Sequence, residues 1–392
     1  MSLDELKIAL DDYMKASCLP AEECMMEYSR QHNPYLEFEE VQDDDSERIF
    51  LIPVSQSYLY LFRGQETIYH PCLPTLWRGE HSDIELFLER LRLVEFEHLI
   101  RQHPVVKHIF IPNHYFIDYE GLAQHYGLLT EVLDLTSDPD IALFFAMCPY
   151  DRQNDCYTYH NDGKKHTGIL YMVAPFRNNR MFGSDALKKY LNDRIHPIGL
   201  QPFARPGAQR GFALHIDRYD KTAAVQYEFT FTCENSKAYY DKYEQGTALW
   251  TMDELTEHAW TIRTQKTFNK RILDETLSRF PIEKLKSRNR LKQALRSLHV
   301  TVSNTIPVSS FSEAEIQSIC IKWDNGGSDR FIRSISKRTV FINEGDYIDE
   351  KGVLQKKLKK LPRRSISQIA DIDMLRLVMH PDCPGGGKGV WL

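Results

Sequence analysis

The sequence has no run approaching the roughly 20 apolar residues that a membrane-spanning helix needs, which argues against a membrane protein. Its first residues, MSLDELKIALDDYM, are acidic and lack the apolar core of a secretion signal, so a cytoplasmic location is the expectation. The eight cysteines (Cys18, Cys24, Cys72, Cys148, Cys156, Cys233, Cys320 and Cys383) contain no C-x-x-C pair. That spacing offers neither a zinc motif nor a redox dithiol, so free thiols and no metal are expected. H-E-x-x-H, G-x-S-x-G and G-x-G-x-x-G are absent, which removes the usual signatures of zinc peptidases, α/β-hydrolases and dinucleotide-binding sheets. The glycine run around Lys388 lacks the Ser or Thr of a phosphate loop and has no room for its helix, and reads as a tail. No internal repeat is present.

What is there is a chain of 392 residues with 42% hydrophobic and 27% charged residues, enough for two domains. Charge is uneven. Residues 257–364 hold 23 Lys+Arg against 12 Asp+Glu, a local +11 in a chain of net charge −6, so the remainder carries −17. This asymmetry suggests an N-terminal helical extension over 1–50, a central domain over 51–256, and a smaller basic, mainly helical domain over 257–392. The basic unit fits nucleic acid, an acidic partner, or the acidic remainder of the chain itself.

Strand patterns appear at 48–54, 58–62, 132–136, 168–173, 211–216 and 223–232, the last two reading as partners. The strongest helix runs from Ser82 to His103, opened by a Ser82–Glu85 capping box, with Glu89, Arg90, Arg92 and Glu97 on a solvated face. A short helix ends at Gly127, and another starts after Ser137-Asp138-Pro139. Further helices are expected at 267–280, 282–297 and 312–323, a helix start at Pro20, a strand at 337–343 and a last helix at 367–379.

Four constellations carry chemistry. Arg63, at a strand end beside Gly64, presents a fork suited to a phosphate or carboxylate, or to a structural carboxylate on a neighbouring strand. Gly64 lets backbone and ligand approach closely. Asp134 and Thr136 share one face of a strand whose end, with Ser137, meets a helix N-terminus that favours anions; a plain N-cap with a buried Asp explains them as well. His125-Tyr126 suits stacking on a planar ligand, or a core Tyr beside a surface His. Gln209, ahead of a strand, and Glu228, on the following strand, are alternative partners for a ribose hydroxyl, although turn chemistry accounts for Gln209 equally.

The motifs FRGQ (62–65), QHYGLLTEVLDLTSDPDIALFFA (124–146), GILY (168–171) and AQRGFAL (208–214) occur in order and resemble the FRG domain over roughly residues 57–246. Leu129, Glu131 and Leu135 depart from that family's usual Pro, Arg and Trp. A remoter resemblance is to R-S-E type ADP-ribosyltransferases, with Phe62-Arg63-Gly64 as the first motif and Asp134-Leu135-Thr136 before the Ala142–Ala146 helix as the second. The third motif, a late-strand Glu, falls to Gln209 or Glu228.

That resemblance implies an α+β domain with a mixed, bent sheet and flanking helices. It also implies NAD as a substrate-like ligand, and a toxin or defence effector of bacterial type. Arg63 would then hold the pyrophosphate, Thr136 the nicotinamide ribose, and residue 209 or 228 the ribose 2′-hydroxyl, with Gly64, His125, Tyr126, Asp134 and Ser137 around the nucleotide. The acceptor would be a protein or nucleic acid. The rival readings are a non-catalytic module that binds a nucleotide or protein, and a nucleic-acid-acting protein using the basic region. Sequence leaves the oligomeric state open.

Overall fold

A computed structural model describes residues 1–16, 38–42, 47–53, 60–69, 72–151, 153–173, 194–199, 201–216, 223–282, 288–324, 364–365 and 388–391. The helix start at Pro20, the strand at 337–343 and the helix at 367–379 lie outside them. The architecture is α+β. Strands β1 (Phe38–Gln42) and β2 (Ile49–Pro53) form a small sheet with β13 (Arg364–Ser365). The main sheet uses β3 (Leu61–Gln65), β4 (Val132–Thr136), β7 (Lys165–Val173), β8 (Ile195–Pro197), β9 (Gly211–His215), β10 (Ala223–Thr232) and β14 (Lys388–Trp391). Its order is β14–β10–β7–β3–β4–β9–β8, while β5 (Tyr150–Asp151) pairs with β6 (Cys156–Tyr157) apart from it and the short helix α5 (Ala204–Ala208) precedes β9.

Every ladder of this main sheet is antiparallel, where a mixed sheet was expected. Parallel pairing occurs outside it, between β1 and β13 and between β11 (Thr267–Asn269) and β12 (Thr301–Ser303). The expected pairing of β9 with β10 is also corrected: β4, β3 and β7 lie between them. Residues 388–391, read as tail, pair with the outer edge of β10.

Alternation along the strands builds a core on each face of the sheet. On one face Phe62, Met172 and Phe229 meet α1 (Leu3–Ala16) through Leu6, α4 (Pro139–Met147) through Phe144, and α6 (Cys233–Lys242) through Tyr239. On the other face Leu61, Leu133, Leu135, Tyr171 and Phe212 pack together.

Helix α2 (Asp83–Gln102) begins as the sequence suggests: the Ser82 side chain accepts from Glu85 N, and the Glu85 carboxylate accepts from Ser82 N. It is buried nearly all round. Phe96, Leu99 and Ile100 meet Tyr126, Leu255 and Ile262, the last on α7 (Thr256–Thr264). Phe87, Leu91 and Val94 meet Ile272 and Leu273 of α8 (Lys270–Arg279) and Leu291 and Leu295 of α9 (Arg288–Ser297). Glu97 therefore does not face solvent as expected. It is 4% exposed and lies between Arg101 Nη2 at 2.7 Å and Arg279 Nη1 at 2.6 Å. The departure at Glu131 has a partner too, Arg90 Nη2 at 2.6 Å.

Gly64 fixes how α4 sits on the sheet. A Cβ there would lie 1.7 Å from the Ala142 carbonyl oxygen and 2.9 Å from Ala146 N, both backbone atoms that cannot swing aside. Helix–sheet approach, more than ligand approach, is what requires glycine at this position. Gly64→Ala is expected to lower the unfolding free energy by about 3 kcal/mol, the upper end of overpacking costs, read as a shifted midpoint in urea unfolding; an unchanged midpoint would show that α4 does not seat on β3 this closely.

A candidate ligand cleft between β3 and β4

The sheet opens where β3 meets β4. The β3–β7 ladder runs from Leu61↔Val173 to Gln65↔Ile169, and the β4–β9 ladder runs from Val132↔His215 to Thr136↔Gly211. Between β3 and β4 only Phe62↔Thr136 are in register. Beyond that pair the strands part, and a β4 carbonyl loses its cross-strand donor. Arg63 replaces it: Nη1 donates to the Asp134 carbonyl oxygen at 2.9 Å and to the Asp134 carboxylate. A buried backbone acceptor must find a partner, and a guanidinium fork satisfies it while neutralising the carboxylate.

The rest of the Arg63 fork turns to Gln65, two residues on and on the same face of β3. With its amide oxygen toward the guanidinium groups, Gln65 accepts from Arg63 Nε at 2.9 Å and from Arg63 Nη2 and Arg78 Nη2 at 3.0 Å. Arg63 is 8% exposed, whereas the Asp134 side chain is 37% exposed. Burial works against ionisation of Asp134, but the Arg63 charge, with His125 and the Arg63 hydrogen bond, outweighs it and holds the carboxyl down at about 2. The charge offered to a ligand is thus the Asp134 carboxylate, with the Arg63 cation behind it.

The cleft is lined by Phe62, Arg63, Gly64, His125, Asp134, Leu135, Thr136, Phe145 and Gln209. Thr136 Oγ1 donates to the Gln209 carbonyl at 2.8 Å and accepts from Asp138 N at 3.1 Å, so one hydroxyl joins the end of β4 to the turn before β9 and to the start of α4. The Gln209 amide donates to the Leu249 carbonyl at 2.9 Å. His125 closes α3 (Tyr119–His125), 5% exposed, and burial pushes its pKa down. Its Nε2 has no hydrogen-bond partner among the described residues.

Three of the sequence candidates do not line the cleft. Glu228 is an exposed residue of β10, and β7 lies between β10 and β3, so it is removed from Arg63 by a whole strand. Tyr126 points the other way from His125. It is 2% exposed, donates to Asp253, and packs against Phe96 and beneath the buried Arg205 guanidinium, 4.7 Å from its ring centre. Ser137 sits at the helix start, but Asp138 caps α4, accepting from Asp140 N at 2.9 Å and pairing with Arg210 Nη1 at 2.8 Å. Sequence reasoning missed Phe62, Leu135 and Phe145 in the lining and Gln65 behind it. Period-two spacing from Arg63 was a usable signal for Gln65.

A second polar cluster lies beside this region. Asp118 caps α3 through Gly121 N at 2.8 Å, and its Oδ2 faces His196 Nδ1 at 2.7 Å and His215 Nε2 at 2.6 Å. An ionised carboxylate only accepts, so both ring nitrogens carry hydrogen. The cluster ties β8 and β9 to the start of α3. Burial disfavours a charged His215 ring, but Asp118 and Glu120 raise its pKa to about 9, and burial raises Glu120 to about 7.

A family model for the FRG domain matches residues 58–155, about a quarter of the chain, and an FRG domain is present there. The matched segment holds every lining residue of the cleft except Gln209. No curated protein and no solved structure matches the chain.

The His215 pKa has a consequence for stability. A group raised in the folded state stabilises it below its ordinary value, about 6.5 for His, and the contribution is lost as pH rises through about 9. Ionisation of buried Glu120 acts in the same direction below that window. The melting temperature is expected to fall between pH 6.5 and 9, and His215→Gln is expected to flatten that fall; parallel profiles for the two proteins would remove His215 as its cause.

Proposed function

We propose that this FRG domain is a nucleotide-recognition module whose cleft takes the nicotinamide–ribose end of an NAD-type dinucleotide. The observation that carries this reading is convergence: Arg63 from β3, Asp134 and Thr136 from β4, and Gln209 ahead of β9 reach one cleft from neighbouring strands. These are the positions that bear the remote likeness to R-S-E ADP-ribosyltransferases. Gln209, not Glu228, is therefore the counterpart of the third motif.

The roles follow from the chemistry of each wall. Half-buried Phe145 gives a planar ring apolar surface. The ionised Asp134 accepts from a ribose hydroxyl or a carboxamide N–H. The space these walls enclose is small, so only one end of a dinucleotide meets them, and the pyrophosphate and second nucleoside lie outside. Arg63 does not grip phosphate in this reading, because its fork already serves Asp134 and Gln65. It holds the Asp134 carboxylate charged and in place. An amide at position 209 lends no negative charge to an oxocarbenium-like transition state, which favours binding without transfer. A second reading rests on Asp134 itself: a charged carboxylate in the cleft supports slow transfer of ADP-ribose to a protein or nucleic-acid acceptor.

The test is calorimetric titration of the full chain with NAD and with nicotinamide mononucleotide, followed by chromatography for free nicotinamide. Both ligands are expected to bind without nicotinamide release. Gln209→Ala is expected to weaken binding about tenfold, the value of one hydrogen bond near 1.4 kcal/mol, and Gln209→Glu to begin releasing nicotinamide. Absence of binding by either ligand removes the nucleotide pocket; release by the unaltered protein establishes the second reading instead.

A further inference from the structure

The β7–β10 ladder pairs Lys165 with Thr232 and His166 with Phe231. The chain leaving β10 therefore enters α6 at the same end of the sheet as the turn that precedes β7. Cys233, the first residue of α6, and Asp162, in that turn, are brought to His166 by this register. The Asp162 Oδ1 atom lies 2.8 Å from His166 Nε2 and 3.5 Å from Cys233 Sγ, and the sulfur lies 4.0 Å from the same ring nitrogen. One thiol, one imidazole and one carboxylate thus have their donor atoms within 4.0 Å of one another.

We propose that Asp162, His166 and Cys233 form a zinc site. A tetrahedral zinc, roughly 2.3 Å from sulfur and about 2.1 Å from nitrogen or oxygen, keeps its ligands roughly 3.3–3.6 Å from one another. The three separations here bracket that range. A mixed sulfur, nitrogen and oxygen set selects zinc over the hard cations calcium and magnesium, which prefer all-oxygen ligands. The surroundings suit the role. The His166 ring is stacked on His160 with centroids 3.7 Å apart, which fixes its plane. Asp162 Oδ1 is held in the turn by Lys164 N at 3.0 Å.

On coordination Cys233 gives up its thiol proton to solvent, His166 binds as the neutral ring through Nε2, and Asp162 binds as the carboxylate. Three protein ligands leave a fourth position for water, on a surface where Asp162 is exposed. The ion would fasten the turn before β7 to the start of α6. That helix contacts α4 through Tyr239 Oη and Lys242 Nζ, each 2.8 Å from the Asp140 carboxylate. The site is invisible to motif spacing because Cys233 lies far along the chain from the other two ligands.

Cobalt(II) is the probe. The metal-free, reduced full chain is titrated with Co²⁺, and thiolate-to-cobalt charge transfer is followed in the near ultraviolet. One equivalent is expected to saturate the band, and Zn²⁺ to abolish it by displacement. Cys233→Ser should eliminate the band. His166→Gln and Asp162→Asn, the latter in an exposed turn where folding is not at stake, should each weaken Co²⁺ binding at least tenfold while keeping the thiolate band. Absence of the band in the unaltered chain, its persistence in Cys233→Ser, or unchanged affinity in both other variants would overturn the site.

Discussion

The ion pair of Arg63 with Asp134 is what lets the central sheet part without leaving broken polarity inside it. Where β3 and β4 stop pairing, a β4 carbonyl and a carboxylate face the gap, and one guanidinium serves both. Each further feature of the cleft depends on that arrangement. The parting of the strands makes the space, the cation keeps Asp134 charged, and Thr136 anchors the far wall to the Gln209 turn. Gly64 contributes from behind by letting α4 press directly on β3, so the strand that carries Arg63 is backed by helix backbone.

Much of this could be read from the sequence, and for identifiable reasons. β4 appears with the expected bounds because Leu133 and Leu135 alternate with polar residues over a short segment closed by a helix cap. α2 appears with its expected start because Ser82 and Glu85 signal it locally. The FRG motifs marked the right segment because the cleft is built almost wholly from contiguous sequence. What failed was non-local. Strand order places Gln209 beside β4 and Glu228 beyond β7, and nothing in either residue's neighbourhood encodes that. Tyr126 follows His125 directly, yet the end of α3 sends one ring into the helical core and the other into the cleft. Glu97 looked solvated because the helices that cover it lie far along the chain.

The same distinction explains the two histidine clusters. Asp118, His196 and His215 are assembled by α3, β8 and β9, and Asp162, His166 and Cys233 by the register of β7 with β10. In both, one carboxylate oxygen is the meeting point. In the first, Asp118 and His196 are buried and His215 is half-buried, and their hydrogen bonds act as a clasp between elements. The second lies nearer the surface and includes a thiol, which gives it the donor set of a metal site.

The central claim is that Arg63 and Asp134 act as a unit across the parted strands. A double-mutant cycle on Arg63→Met and Asp134→Leu, read by urea unfolding, tests it most directly. With Asp134 37% exposed and so partly screened, the account predicts a coupling energy of about 1–3 kcal/mol, with the double variant less destabilised than the sum of the two singles. Additive effects of the two substitutions would contradict it.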